Sequence, residues 1–193
     1  MTDALPEFPR SPELLSREDS RLLIVDMQQK LLRLIPVADR VIHNCRRLIH
    51  GAQALDIPVV ATEQYPKGLG STAPELAELL DDVPEKLRFS CSEVLNWPTA
   101  AEQPEARDQV VVAGIEAHVC VQQTVLDLIA RGFRVYVVAD SIASRGKFDW
   151  KTALRRMADA GATLTTVESV LFEWCETAAA DEFKQISDLI KEG

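Results

Sequence analysis

The sequence lacks several features that would assign a protein to a common class at once. It contains no run of roughly 20 apolar residues, which argues against a membrane-spanning helix. Basic residues are in the minority, with 21 Lys and Arg against 30 Asp and Glu, and the net charge of −9 argues against general binding to nucleic acid or anionic membranes. Residues 1–20 are polar and contain no apolar signal-peptide core, so we expect a cytoplasmic protein.

Cysteine and histidine are scarce and scattered. The four cysteines form no CxxC motif and no cluster with the three histidines, which argues against a disulfide scaffold and a structural zinc site. The chain has no Walker loop and no GxSxG elbow, and Gly68-Leu-Gly70 is too short for a dinucleotide fingerprint. We therefore expect no cofactor.

What the sequence does contain is an alternation of strand and helix signals. Short apolar runs predict strands over residues 21–26, 57–61, 109–114, 133–139 and 162–166. Apolar residues spaced by three or four predict helices over 37–55, 74–80, 118–131, 150–160, 168–175 and 178–191. This alternation implies right-handed crossovers and a parallel sheet between helix layers. We expect an N-terminal arm over residues 1–20 and a single domain over 21–193.

Polar residues follow the predicted strands at their carboxyl ends. Asp26 ends the first strand, the segment after Gly114 follows the third, and Asp140 ends the fourth. Because ligands of such sheets bind outside the carboxyl ends of the strands, we expect the functional site at this edge.

Cys120 carries the strongest chemical signal. It falls in the first turn of a predicted helix, where the positive end of the helix dipole favours a thiolate. The alternative is a small buried cysteine with a packing role. Asp26 is either a proton acceptor for such a thiol or a helix cap. Lys86, in a polar stretch, is by itself typical of a solvated lysine.

Three segments together resemble the isochorismatase-like cysteine hydrolases, with similarity from about residue 21 to 191. They bring an aspartate, a lysine and a cysteine in the family's order, and they are Leu22–Gln28 (LLIVDMQ), Lys86–Ser90 (KLRFS) and Gly114–Cys120 (GIEAHVC). Residues 62–70 and 126–128 are most similar to the isochorismatase-domain-containing subgroup, which has no well-assigned substrate.

This resemblance implies an α/β fold, a single-domain three-layer αβα arrangement around a mostly parallel, six-stranded Rossmann-like sheet. It implies that Cys120 is the nucleophile, that Asp26 takes its proton and later returns it to the leaving group, and that Lys86 orients both. The backbone N–H groups of Glu116 and Cys120 would bind the oxyanion, after a non-proline cis peptide at Ile115–Glu116. Family members are commonly dimers or larger homo-oligomers.

Side chains near these segments are candidates for the substrate pocket, namely Gln28, Tyr65, Phe89 and His118. His118 also has alternatives as a base or as a packing residue. Nicotinamidases of the superfamily carry an aspartate and histidine metal site after the second strand, whereas residues 63–72 contain no histidine. We therefore expect no metal.

Three functions stay open at this point. The leading hypothesis is a hydrolase of a small C–N bond, an amide or a ureide, acting through an acyl-thioester on Cys120. The second is a hydrolase driven by Asp26 without a covalent intermediate, as in isochorismatase-type ether cleavage. The third is a non-catalytic binding protein or a thiol sensor. Each hypothesis implies a small-molecule partner or no partner. None of them implies binding to nucleic acid or to a membrane.

Overall fold

A computed structural model, which describes residues 10–102 and 107–192, builds the chain around one parallel sheet. The strands are Ser20–Val25 (β1), Val59–Gln64 (β2), Glu85–Lys86 (β3), Gln109–Ile115 (β4), Arg134–Ala143 (β5) and Thr163–Thr165 (β6). The helices are Gln29–Leu32 (α1), Ala38–Ala54 (α2), Pro66–Leu69 (α3), Pro74–Ala77 (α4), Gln122–Ala130 (α5), Lys147–Asp159 (α6), Val167–Cys175 (α7) and Phe183–Lys191 (α8). A 3-10 turn spans Ala100–Glu102, and a π-helical turn spans Ala117–Val121.

The strand order is β3-β2-β1-β4-β5-β6, and every neighbouring pair is parallel. The direction of winding reverses between β1 and β4, where Val25 pairs with Thr62 on one side and with Gly114 on the other. The predicted α/β class and parallel sheet are confirmed. This reversal is the switch point at which such sheets bind ligands.

The core lies on both faces of the sheet, because alternate residues of a strand point to opposite faces. Leu22 and Ile24 pack with α2, α7 and α8 on one face. Leu23 and Val25 pack with α5 and α6 on the other. All residues of β1 and β4 are buried, as the continuous apolar runs of these strands predict.

The segment before β1 packs against the rest of the fold from Arg10 onward. Leu15 is fully buried in the core, and the Gln109 side chain accepts from the Ser16 N–H and donates to the Leu14 carbonyl. The division into an arm and a domain stays a prediction, and residues 1–9 lie outside the described part.

The bounds of several elements differ from the prediction for physical reasons. Strand β3 has only two residues, both charged, so it carries no apolar run. The predicted helix over 118–131 divides into the π turn and α5. Helix α6 begins at Lys147, because the apolar residue of its first turn, Phe148, is 81% exposed and lies off the buried stripe that the apolar spacing follows. The last predicted helix begins only at Phe183.

Candidate active site

The candidate site lies at the carboxyl edge of the sheet, at the switch point. Asp26 directly follows β1 and takes a positive φ of 51°, which turns the chain as the strand ends. Gly114 in β4 has a φ of 127°, and a Cβ atom there would lie 2.1 Å from the Val25 carbonyl oxygen. Glycine is therefore required for the close approach of β1 and β4 beside Asp26.

Asp26 and Lys86 form a fully buried ion pair, with Lys86 Nζ 2.7 Å from Asp26 Oδ2. The ammonium also donates to Gln64 Oε1 and to the Phe89 carbonyl, each at 2.8 Å. The other carboxylate oxygen accepts from Thr62 Oγ1 at 2.8 Å. These bonds fix the carboxylate on both sides, as a buried charge requires.

Cys120 completes the group. It is 4% exposed, and its thiol lies close enough to Asp26 and Lys86 for both charges to act on its pKa. Thr124, one helical turn later, donates to the Cys120 carbonyl at 2.7 Å and accepts from the Cys91 N–H at 2.9 Å. The structure thus brings together the three residues that the sequence analysis singled out, although Asp26 and Cys120 are 94 residues apart in the chain.

The electrostatics reverse one expectation. Burial raises the pKa of Cys120, and the negative charge of Asp26 raises it further, although Lys86 acts in the opposite direction. The prediction that the helix dipole favours a thiolate is therefore wrong, because the nearby carboxylate and the lost solvation dominate. Burial also raises the pKa of Asp26, while the Lys86 charge lowers it. This arrangement suits a thiol that gives its proton to a carboxylate only when it attacks.

A backbone turn lies beside the thiol. The Ile115–Glu116 peptide is cis, and the π turn Ala117–Val121 follows it. The N–H groups of Val119 and Val121 donate to the Glu116 carbonyl at 3.1 and 3.2 Å. N–H groups at the start of a helical segment generally lack partners within it, so this turn can present donors to a developing oxyanion.

The Glu116 side chain points into the protein and is neutralised there. The side chain is 6% exposed, and its Oε1 lies 2.7 Å from Arg145 Nε in an ion pair. The N–H of Arg145 Nε is not aligned for a hydrogen bond to this oxygen. His118 Nδ1 lies 3.4 Å from Glu116 Oε2 and 2.9 Å from Ser144 Oγ. His118 therefore contacts the end of β5 rather than acting as a partner of the thiol.

The proposed pocket residues occupy different places. Tyr65 and Phe89 are about half exposed, at 49% and 51%, on the loops that surround Lys86. Gln28, which we predicted to line the pocket, is fully buried instead. Its amide donates to the Gln64 and Gly70 carbonyls and accepts from the Gln64 N–H, so it holds the loop in place.

Sequence reasoning missed several supporting residues. Thr62 and Gln64 lie at the carboxyl end of β2, beside Asp26, and their position at a strand end was a usable signal. Thr124 stands four residues after Cys120, a helical spacing that also could be read. Nothing in the sequence indicated Arg145 as the partner of Glu116.

Two structural features bear on metals and membranes. Within residues 10–102 and 107–192, no three His, Cys, Asp or Glu side chains are arranged to hold a metal ion. Over the same ranges, no helix is long and apolar enough to cross a membrane.

Comparison with known proteins gives consistent relatives. "Isochorismatase domain-containing protein 1" of Danio rerio is 43% identical over 181 residues, covering 92% of this chain but 62% of that protein. The Salmo salar protein of the same name is covered over 59% of its length, so this chain spans about three fifths of these two relatives. The "Secreted isochorismatase effector Isc1" of Phytophthora sojae is 39% identical, covering 90% of this chain and 85% of that protein.

Solved structures share the fold. The "MAR1 Ribonuclease" of Caenorhabditis elegans superposes with a TM-score of 0.84 at 38% identity, over 92% of both chains. The YcaC gene product of Escherichia coli, described as an octameric hydrolase of unknown specificity, gives a TM-score of 0.79 at 25% identity over 95% of this chain and 98% of that one. The family model described as the isochorismatase domain matches residues 20–169. The chain therefore belongs to the family of isochorismatase-like hydrolases.

Proposed function

We propose that the protein hydrolyses a C–N bond of a small amide or ureide through a covalent thioester on Cys120. The observation that carries this proposal is the buried Cys120 thiol beside the Asp26 carboxylate, which is itself ion-paired with the buried Lys86. A weakly acidic thiol without a histidine partner needs a base and a cation, and these two residues supply both.

In the first half of the reaction, Cys120 Sγ attacks the substrate carbonyl while its proton passes to Asp26. The carbonyl oxygen becomes an oxyanion, and the N–H groups of Glu116 and Cys120 bind it. Asp26 then gives the proton to the nitrogen of the leaving group, and the C–N bond breaks to leave a thioester. The raised pKa of Asp26 suits a carboxyl that takes up and releases this proton.

In the second half, water attacks the thioester and gives a proton to Asp26. The tetrahedral intermediate collapses, the C–S bond breaks, and the proton returns to Cys120 Sγ. The products are a carboxylic acid, or a carbamic acid from a ureide, and a free thiol. Lys86 holds the Asp26 carboxylate in position through the ion pair.

The burial of Cys120 favours a small substrate. At 4% exposure, the thiol is accessible to a compact carbonyl compound and not to a polymer backbone. The C. elegans neighbour is called a ribonuclease. With a net charge of −9 and a buried nucleophile, we expect this chain to leave RNA intact, which incubation with a labelled oligonucleotide tests.

The decisive experiment is turnover on a panel of small amides and ureides, followed by amine or ammonia release. We expect Cys120→Ala to abolish turnover and Asp26→Asn nearly to do so, whereas Cys175→Ala, a buried cysteine in α7, keeps it. Acid quenching of the wild type should leave an acyl adduct on the Cys120 peptide, measured by mass spectrometry.

Each alternative has its own outcome. Turnover that survives Cys120→Ala but not Asp26→Asn would establish hydrolysis without a covalent intermediate. No turnover on any substrate, together with reversible oxidation of Cys120, would establish a thiol sensor.

We also propose that copies of the chain assemble as homo-oligomers. The E. coli neighbour is described as octameric, and this chain exposes 75% of Leu87 and 81% of Phe148. Light scattering on the purified protein tests this. A cytoplasmic location stays a prediction of the sequence, and the Phytophthora relative is called secreted.

A further inference from the structure

A cavity lies on the same edge of the sheet as the candidate site, between the start of α2 and the connection from β5 to α6. Its volume is about 310 Å³, at the small end of the range typical of ligand pockets. Apolar atoms of Val37, Ile142 and Ala143 form part of its wall. We name it the α2–α6 pocket.

Three cations also line this pocket. Arg40, Arg145 and Lys147 all contribute to its wall, and none of its lining residues is acidic. Arg145 pairs with Glu116. Within the described ranges, Arg40 and Lys147 form no ion pair and no side-chain hydrogen bond, so two cations lack counter-charges in a chain whose net charge is −9.

Charges near the pocket reduce this excess only in part. The Asp149 carboxylate lies against Gly146 at the start of α6, where it faces the backbone of the first helical turn. Among the described residues, Glu116 is the one carboxylate that is ion-paired with a residue lining the pocket. A bound anion would supply the missing negative charge.

An unsatisfied donor lies next to this cavity. Trp150 lines the pocket, and its indole N–H is buried without a hydrogen-bond acceptor among the described residues. Buried Trp N–H groups usually find a partner. That N–H is closed to solvent in the structure, so a ligand oxygen would reach it only after the indole ring turns toward the cavity.

We propose that the α2–α6 pocket binds a small organic oxyanion, a carboxylate or phosphate that carries an apolar body. The oxyanion would contact Arg40 and Lys147, and the body would pack on Val37 and Ile142. This proposal does not depend on the chemistry of Cys120. Two contacts connect the pocket to Glu116 and the π turn that follows it: Ser144 contacts His118, and Arg145 pairs with Glu116.

Titration calorimetry with four aromatic probes of similar size tests the proposal. We expect benzoate or phenyl phosphate to bind, and the neutral benzamide and the cationic benzylamine not to bind. Binding should weaken between about 0.01 M and about 0.1 M salt, because the Debye length falls from roughly 30 Å to roughly 10 Å and the cations are exposed. Which of the two anions binds more tightly identifies the preferred oxyanion.

Variants locate the binding site. Arg40→Gln/Lys147→Gln should weaken anion binding about fivefold or more, the combined effect of two exposed ionic contacts. The control Arg46→Gln/Lys151→Gln changes exposed residues of the same two helices that do not line the pocket, and it should bind as the wild type does. Circular dichroism confirms that each variant is folded.

Several results would overturn the proposal. The first is that neither anion saturates the protein at about 10 mM. The others are that benzamide binds as tightly as the anions, and that Arg40→Gln/Lys147→Gln binds them with unchanged affinity. Loss of binding in Cys120→Ala would also overturn it, because the anion would then occupy the site beside the thiol. Retained binding in Cys120→Ala supports the separate pocket even if the enzyme proves to have no amidase activity.

Discussion

Replacing Lys86 by methionine removes a buried cation and keeps much of the side-chain volume. The ammonium contacts Asp26 Oδ2 at 2.7 Å and accepting oxygens of Gln64 and Phe89 at 2.8 Å. Removing one partner of a buried ion pair costs about 3–5 kcal/mol of unfolding free energy. The orphaned oxygens contribute to the loss as well, at about 1–3 kcal/mol each if water cannot reach them.

The ion-pair contribution depends on pH. Burial raises the pKa of Asp26 in the folded protein, and the positive charge of Lys86 makes this increase smaller. In Lys86→Met the folded pKa rises further above the unfolded value of about 3.9. The folded state then keeps a proton that the unfolded state has released, so stability falls as pH rises through the interval between the two values. Below about pH 4 both states are protonated, and only the cost of the orphaned oxygens remains.

Urea unfolding over a series of pH values measures this. The stability difference between wild type and Lys86→Met should widen as pH rises, by about 1.4 kcal/mol for each unit that the Asp26 pKa increases. Adding Asp26→Asn should remove that widening, and Lys151→Met, at an exposed lysine of α6, should change little. A difference that is equal at every pH, or a double variant with the same pH dependence as the single one, would refute the reasoning.

Three further predictions concern other parts of the molecule. The rate at which iodoacetamide alkylates Cys120 should rise with pH with a midpoint above the ordinary thiol pKa of roughly 8.5. Asp26→Asn should lower that midpoint, because the carboxylate raises the thiol pKa. A wild-type midpoint below roughly 8.5 would contradict this. Gly114→Ala should cost more than about 4 kcal/mol or prevent folding in thermal melts, since its Cβ would meet the backbone of β1. Gly161→Ala, at a similar φ of 108° with no atom within 4 Å, should cost about 1–2 kcal/mol, and equal costs would contradict the steric argument. Leu15→Ala should lower the free energy of unfolding by about 2–5 kcal/mol, measured in urea. The same change at Leu14, which is 39% exposed, should have almost no effect. An equally small effect of Leu15→Ala would show that the segment before β1 contributes nothing to the core.

Much of the sheet could be predicted because its central strands are buried on both faces. Such strands read as continuous apolar runs, and β1 and β4 appear in the sequence as such. Strand β3 could not be found, since its pairing depends on the edge of β2 and on the bonds of Lys86, neither of which leaves an apolar pattern.

The candidate site divides in the same way. Asp26 and Cys120 stand at a strand end and a helix start, two local positions that sequence reasoning can recognise. The direction of the thiol pKa could not be inferred locally, because it depends on the distance between two residues far apart in the chain. For Gln28, which we predicted to line the pocket, the local position was visible but the contacts were not. Its position beside Asp26 is visible in the sequence, but the backbone groups that its amide binds belong to a later loop.

The shortest strand of the sheet has a consequence for aggregation. Strand β3 covers the edge of β2 through backbone bonds that include Glu63 N–H to the Pro84 carbonyl at 3.0 Å and Tyr65 N–H to the Lys86 carbonyl at 2.9 Å. So short a ladder contributes little by itself, and the buried ammonium of Lys86 holds it in place. Damage to the ion pair would therefore free the β2 edge, whose unpaired backbone groups can bind a strand of another molecule. The ion pair that we assign to the reaction thus also helps to keep the edge of β2 covered.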